Sequence, residues 1–293
     1  MSKPAGFSQP FCSPLRRQIL GACAAGAIVA PVCAQSAPPV ADNALAAVIA
    51  GSHRSAANRA RDRWRNPLQT LQFFGVQPTQ TVLEVAPGGG WYTEILAPWL
   101  RERGRLVAAH YSRTDASEYR RGSRAVFDAF LARRPDLYDR VSTVTLPVAP
   151  RFTDLTPPVQ FDAVVTFRNV HNWVTDGHLD ATLQAFASVL KPGGVLGVVD
   201  HRAPPGASLD WMARSGYVSE EFMEERAQKA GFRLVARSEV NANPADTRYH
   251  VNGVWSLPPS LRGGAVDRER FIAIGESDRF THPSRHHPSH RVL

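Results

Sequence analysis

The chain has 293 residues, 43% hydrophobic and 20% charged, with a formal charge of +8. That is enough chain for one large domain with a sizeable core, and the composition excludes a disordered or fibrous class. A net positive charge without a basic helix or an aromatic-interleaved basic patch is weak evidence for nucleic acid, and none is expected as partner.

The N-terminus reads as a targeting segment. Arg16-Arg17 precedes an apolar, Ala/Gly-rich run of 14 residues, 19–32, and Val32-Cys33-Ala34 offers small residues for a signal peptidase. A spanning helix needs about 20 apolar residues, so the run predicts a cleaved signal peptide over 1–34, no stable membrane span and a periplasmic protein. Arg16-Arg17-Gln18-Ile19-Leu20 resembles a twin-arginine export signal, although Leu15 stands where a polar residue is usual. Cleavage removes Lys3, Arg16 and Arg17 and no acid, taking +8 to +5, and it removes Cys12, Cys23 and Cys33, all the cysteines. The mature chain then has neither a disulfide nor a thiol nucleophile.

Residues 35–41 read as a linker. Asp42 or Asn43 is the expected cap of a short apolar helix ending at Ala50, and Ser55 the cap of a second helix running to Arg65. Pro67 suits the first turn of a third helix, which Gly75 ends. Strands and helices then alternate. Strands are expected over 81–85, 105–109, 141–146, 161–167, 195–199 and 232–240, with one more near 271–274. Helices are expected over 91–100, 117–133, 180–190 and from Ser219 to near Gly231. This alternation predicts a parallel sheet covered on both faces. Residues 281–293 hold four of the ten histidines, Arg285, Arg291 and two prolines, and read as a disordered, solvated tail after a domain spanning 42–280. No cysteine or carboxylate lies near those histidines, so no metal is expected there or elsewhere.

A glycine-rich turn between a strand and a helix lets the backbone approach a ligand, and the helix start offers unpaired N–H groups. Val82-Leu83-Glu84-Val85-Ala86-Pro87-Gly88-Gly89-Gly90 resembles the first motif of class I S-adenosylmethionine-dependent methyltransferases, with Ala86 in place of the first glycine. Phe161-Asp162-Ala163-Val164-Val165, Leu190-Lys191-Pro192-Gly193-Gly194 and Gly104-Arg105-Leu106 resemble further motifs of that superfamily, in order and at typical spacing. The resemblance covers about residues 68–240. It implies an α/β, doubly wound, mostly parallel seven-stranded Rossmann-like sheet, here preceded by N-terminal helices, with S-adenosylmethionine as cofactor and a small-molecule methyl acceptor. Three longer strings, Gly88-Gly89-Gly90-Trp91-Tyr92-Thr93-Glu94, residues 166–173 and Gly275-Glu276-Ser277-Asp278-Arg279, resemble a signal-peptide-bearing bacterial methyltransferase-like subgroup.

Through that resemblance Glu84, Ala86, Gly88, Gly90, Tyr92, Arg168 and Asn169 are the expected cofactor residues. His110 occupies the position where the superfamily carries an acid for the ribose; Asp115 or Glu118 is a possible substitute from the following loop. In open α/β sheets a ligand lies beyond the carboxyl ends of the strands. Arg168, Asn169, His171, Asn172 and Trp173 follow one strand, Asp200, His201 and Arg202 the next, and Asn241 and Asn243 a third. His171 and His201 are candidate bases, with Asp200 able to orient an imidazole. Asn172, Trp173, Asn241, Arg54 and Asn58 are candidate substrate contacts. Asn58, Arg61, Asp62 and Arg65 share a helix face: either a solvated face or a lid whose arginines grip an anionic substrate. The alternative function is an exported ligand-binding protein or a different enzyme reusing the fold, which the missing ribose acid favours.

Overall fold

The structure, a computed structural model, describes residues 40–147, 149–155 and 160–287. The expected signal peptide, most of the expected linker and residues 288–293 lie outside the described residues. Helix α1 (Val40–Ala50) begins before the expected caps at Asp42 and Asn43 and takes in the end of the expected linker. The second expected helix is two short ones, α2 (Ala56–Arg59) and α3 (Asp62–Arg65), with the Ser55 hydroxyl accepting from the Asn58 N–H at the first. Helix α4 (Pro67–Phe74) starts on its proline and stops at Gly75, whose φ of 70° suits a residue without Cβ.

The alternating elements follow: β1 (Thr81–Val85), α5 (Thr93–Leu100), β2 (Arg105–His110), α6 (Glu118–Arg133), α7 (Pro135–Tyr138), β3 (Ser142–Thr145), β4 (Phe161–Phe167), α8 (Val170–Thr175), α9 (Leu179–Val189), β5 (Leu190–His201), α10 (Leu209–Ser215), α11 (Glu220–Lys229), β6 (Phe232–Leu234), α12 (Arg268–Ile274) and β7 (Arg279–His286). They form one seven-stranded sheet in the order β3-β2-β1-β4-β5-β7-β6. All neighbours are parallel except β7, which runs antiparallel between β5 and β6. Period-two alternation divides the core. Leu83, Val85, Val164 and Leu196 pack under α9 and α11, whereas Val82, Ala163, Val165 and Val195 pack under α4 and α5. Burying a side chain such as Phe74 or Phe186 contributes about 1.5–3 kcal/mol each. No helix among the described residues is long and apolar enough to cross a membrane.

Three expectations are corrected. Thr281 to His286, read as the start of a disordered tail, is β7, and Thr281, His282 and Ser284 are buried. Its polar residues and Pro283 count against a strand in the sequence. In the fold those residues find partners: Asn241 donates to Thr281 Oγ1, and His282 Nε2 meets Glu220. The expected strand at 271–274 is part of helix α12. The expected strand at 232–240 ends at Leu234, with only a bridge at Ser238 beyond it. The Leu190–Gly194 motif is absorbed into β5 as an irregularity, where its register with β4 shifts. Between β6 and β7 the chain makes a long excursion, containing a 3-10 turn at Gly253–Ser256 and α12, that returns over the carboxyl ends of the strands.

Candidate active site

The carboxyl ends of β1, β4 and β5 open on a cavity of about 340 Å³. Its first wall is the loop after β1. Ala86 sits at φ 50°, a left-handed conformation unusual for a residue with a Cβ, and Gly88 at φ 59° faces open space. Ala86, Gly88 and Gly89 line the cavity, as does Glu84 at the end of β1. Burial pushes the Glu84 carboxyl up to about 7, against the pull of the Thr93 hydroxyl that donates to it at 2.7 Å. Asn169 braces this wall from β4, its amide donating to the carbonyls of Val85 and Ala86. Tyr92 lies on the Phe167 ring, with centroids 3.5 Å apart, and lines the cavity too.

The second wall carries the candidate bases. Asp200, fully buried at the end of β5, accepts from His171 Nδ1 at 2.9 Å and from the backbone N–H groups of His171 and His201 at 3.1 and 2.7 Å. The proton of His171 is thereby held on Nδ1, and Nε2 has no hydrogen-bond partner among the described residues. His201 Nδ1 lies 2.5 Å from Ser277 Oγ. Burial, with the nearby charges of His171, Arg279, Arg168 and Arg65, holds the His201 imidazole well below its ordinary basicity. Both imidazoles line the cavity, with ring centroids 5.0 Å apart.

The third wall is cationic. Arg61 and Arg65 reach in from the two ends of α3, and Arg168 from the end of β4, where its backbone takes φ 64°. Glu276, buried before β7, pairs with Arg61 Nε at 2.5 Å, Arg65 Nε at 3.2 Å and Arg279. These guanidiniums hold its carboxyl far below the usual range in spite of burial. The fourth wall is the β6–β7 excursion, through Val254, Trp255 and the Pro258–Ser260 stretch. Beyond Tyr111 a side chamber of about 150 Å³ continues between the ends of β2 and β3, lined by Asp115, Leu146, Pro147, Asn172 and Trp173.

Of the residues expected at the site, Asn58, Glu84, Ala86, Gly88, Tyr92, Arg168, Asn169, His171, Asn172 and His201 meet at the main cavity, with Asp200 directly behind them. Five do not line it. His110 is fully buried beneath the loop: Nε2–H donates to the Gly88 carbonyl at 3.2 Å and Nδ1 accepts from the Tyr111 N–H at 2.8 Å. It props the loop and has no nitrogen left for a ribose. Arg54 is spent on Asp62 and the Ile49 carbonyl. Gly90 faces α6 rather than a ligand, and a Cβ there would lie 2.6 Å from the Phe130 ring. Asn241 donates to Thr70 and Thr281 in the core, and Trp173 packs edge-on against Phe186, reaching only the side chamber.

The sequence reading missed Tyr111, Tyr119, Trp255 and the part played by Glu276. Glu276, Ser277 and Arg279 do lie within the Gly275–Arg279 string, so a signal for them existed; nothing in the aperiodic stretch around Trp255 marks it. His171, Asp200 and His201 are the group among the described residues whose donor atoms, all within 4.8 Å, are close enough to share a metal ion. The Asp200 oxygens already accept three hydrogen bonds, and the adjacent guanidiniums disfavour a further cation.

No family model matches the chain, and no curated protein does. Solved structures do resemble it. The [4+2]-cyclase SpnF is 18% identical with a TM-score of 0.53, the match covering 84% of this chain and 92% of that one. A protein from Galdieria sulphuraria assigned as a sarcosine dimethylglycine methyltransferase is 16% identical with a TM-score of 0.50, covering 79% and 86%. At these identities the likeness is one of fold, and the fold is that of the S-adenosylmethionine-dependent methyltransferases.

Proposed function

We propose that this chain is an exported S-adenosylmethionine-dependent methyltransferase acting on a small molecule. The observation that carries the reading is the placing of an Asp200-oriented imidazole, His171, in the same cavity as the glycine-rich loop of a methyltransferase fold. The cavity suits the cofactor. The loop is open where a Gly88 Cβ would stand, and Tyr111 leads to a side chamber whose walls include the acids Asp115 and Asp176 in place of His110. When bound, the cofactor supplies a methyl group on a sulfonium, which leaves without its bonding electron pair. The residues of the chain do the rest. The cavity walls align the acceptor, and alignment alone is a large part of catalysis for such a displacement. His171 Nε2 takes the proton that the acceptor oxygen or nitrogen loses as its lone pair forms the new bond to carbon, and Asp200 stabilises the imidazolium. His201, the poorer base, fixes the dyad through Ser277.

The test is ligand-induced stabilisation of the mature protein by S-adenosylmethionine or S-adenosylhomocysteine. Ligand at a hundredfold over Kd adds about 2.7 kcal/mol, a rise in Tm of about 5–10 °C for a domain of this size. No shift with either compound at millimolar concentration refutes the reading. The second reading, a different enzyme or a ligand-binding protein on this fold, is supported by the engagement of His110 beneath the loop and by the neighbour that is a cyclase. Export rests on Arg16-Arg17, the apolar run and Ala34. A twin-arginine route, which carries folded proteins, accounts for a cofactor enzyme outside the cytoplasm. A reporter fused after residue 40 is expected in the periplasm, and there only while Arg16 and Arg17 are intact.

A further inference from the structure

Methyl transfer requires a nucleophile in line with a methyl group and, at most, one base. It gives no reason for four arginines. Arg61, Arg65, Arg168 and Arg279 all act on the carboxylate of Glu276, and Asp200 is the other acid acting on Arg168. Four guanidiniums and two carboxylates leave two positive charges. The remaining acid on the cavity wall, Glu84, sits near 7 and is half neutral at neutral pH.

The hydrogen-bond count agrees with the charge count. With their Nε groups on Glu276, Arg61 and Arg65 each keep an Nη2 that is buried and has no acceptor. Arg65 as a whole is 4% exposed. The Arg168 guanidinium has no side-chain hydrogen bond among the described residues, yet it lines the cavity beside His171. Burial eases the Arg168 guanidinium down only to about 10, so it stays charged at neutral pH. Charged donors of this kind, without acceptors of their own on a cavity wall, are complementary to an oxyanion. The cofactor cannot supply the balance, since its sulfonium and ammonium outweigh its single carboxylate.

We propose that the methyl acceptor is a small oxyanion, bearing a carboxylate or a phosphate, which Arg61, Arg65 and Arg168 hold while its nucleophile faces His171 Nε2. The inference rests on the methyltransferase reading for the word acceptor; the oxyanion site stands on the arginines alone. It also accounts for Glu276. Its carboxylate spaces the Arg61 and Arg65 guanidiniums through their Nε groups and leaves an Nη2 of each free.

The test is calorimetric binding to the mature chain of benzoate, phenyl phosphate and the neutral benzyl alcohol, each with and without saturating S-adenosylhomocysteine. At least one oxyanion is expected to bind, more tightly than benzyl alcohol by at least about tenfold, with the nucleoside present as well as absent. The better arm identifies carboxylate or phosphate. Arg168→Gln is expected to weaken that binding about tenfold while S-adenosylhomocysteine affinity stays within about threefold, and Arg168→Lys to restore part of it. Arg61→Gln, at a more exposed residue, repeats the measurement should Arg168→Gln fail to fold. Oxyanions binding no better than benzyl alcohol overturn the proposal, as does oxyanion affinity unchanged in a folded Arg168→Gln. Mutually exclusive binding of oxyanion and S-adenosylhomocysteine overturns it too, because the arginines then serve the cofactor's carboxylate. Oxyanion binding without any S-adenosylhomocysteine binding removes the methyl-transfer reading and leaves the anion site standing.

Discussion

Glu84 and His110 lie on adjacent strands, and burial shifts them so that their effects on stability oppose each other. His110 falls from its usual 6.5 to about 4. Between those values the unfolded chain binds a proton that the folded chain refuses, so stability drops as pH falls from 6.5 toward 4. Glu84 rises from its usual 4.5 to about 7. Here the folded chain keeps a proton that the unfolded chain has lost, so stability drops as pH rises from 4.5 toward 7. At about 1.4 kcal/mol per tenfold change in proton affinity, each effect is about 3 kcal/mol. The two nearly cancel in the ligand-free protein. Each becomes visible on removing the other: His110→Asn exposes a loss of about 3 kcal/mol on raising the pH from 4.5 to 7, and Glu84→Gln exposes a gain of similar size from pH 4 to 6.5. The assay is urea unfolding of the wild type and both variants across pH 4–7.5, with m held constant as the check on two-state behaviour. Subtracting the wild-type curve removes every other titrating group. A flat difference curve for His110→Asn between pH 4 and 6.5 refutes the assignment of a buried neutral imidazole beneath the loop.

Glu276→Gln leaves buried guanidiniums without their counter-ion and is expected to cost about 3–5 kcal/mol, lowering Tm by about 10 °C at pH 7. Its folded pKa is depressed, so the stabilisation is present above the ordinary carboxyl range and fades below about pH 4.5; a gap to wild type that fails to narrow there contradicts the ion-pair account. Gly90→Ala combines φ 88° with a Cβ 2.6 Å from Phe130 and should cost about 2–4 kcal/mol. Gly88→Ala, at φ 59° with nothing nearby, should cost only about 1–2 kcal/mol, and equal urea midpoints for the two contradict the packing argument. With an acceptor in hand, His171→Ala should lower kcat by about 10²–10⁴-fold and His201→Ala by less; the reverse order would make His201 the base.

The half of the site that lies on local motifs was readable from the sequence. The β1 loop, the cluster after β4 and the pair Asp200-His201 each sit within a few residues of a strand end, and a parallel sheet brings strand ends together whatever the side chains are. Ser55, Pro67, Gly75 and Ser219 mark helix ends because their physics is local as well. What failed was what depends on distant partners. His110 stands at a position where the superfamily keeps an acid for the ribose, and only the carbonyl of Gly88 and the N–H of Tyr111 show that its two nitrogens are already taken. Arg54 and Arg61 look alike in the sequence; one finds Asp62 and leaves the site, the other finds Glu276 and joins it. The polar face of the N-terminal helices was open to two readings for that reason.

The largest misreading, β7, bears on how the site forms. Its residues look like a tail because a buried strand is expected to be apolar, and this one reads Arg279-Phe280-Thr281-His282-Pro283-Ser284. Such a strand is stable between β5 and β6 only if its polar groups find partners, and those partners are spread along the chain: Glu220 for His282, Asn241 for Thr281, the Trp64 carbonyl for Arg279. The same insertion brings Glu276 against Arg61 and Arg65, and Ser277 against His201, behind the cavity wall that those three residues line. The ion pairs behind the cationic wall and the Ser277 support of His201 therefore depend on the segment leading into β7, whereas the loop after β1, the Asp200–His171 contact and the β1–β4 ladder involve only residues before it. The cavity side chains at the ends of β1, β4 and β5, together with Arg61, Arg65 and Arg168, all precede β6, and the segment leading into β7 adds the carboxylate that fixes two of those guanidiniums. Changes in residues 275–282 should then alter acceptor preference and stability together, because the ion pairs that fix β7 are the same groups that face the acceptor.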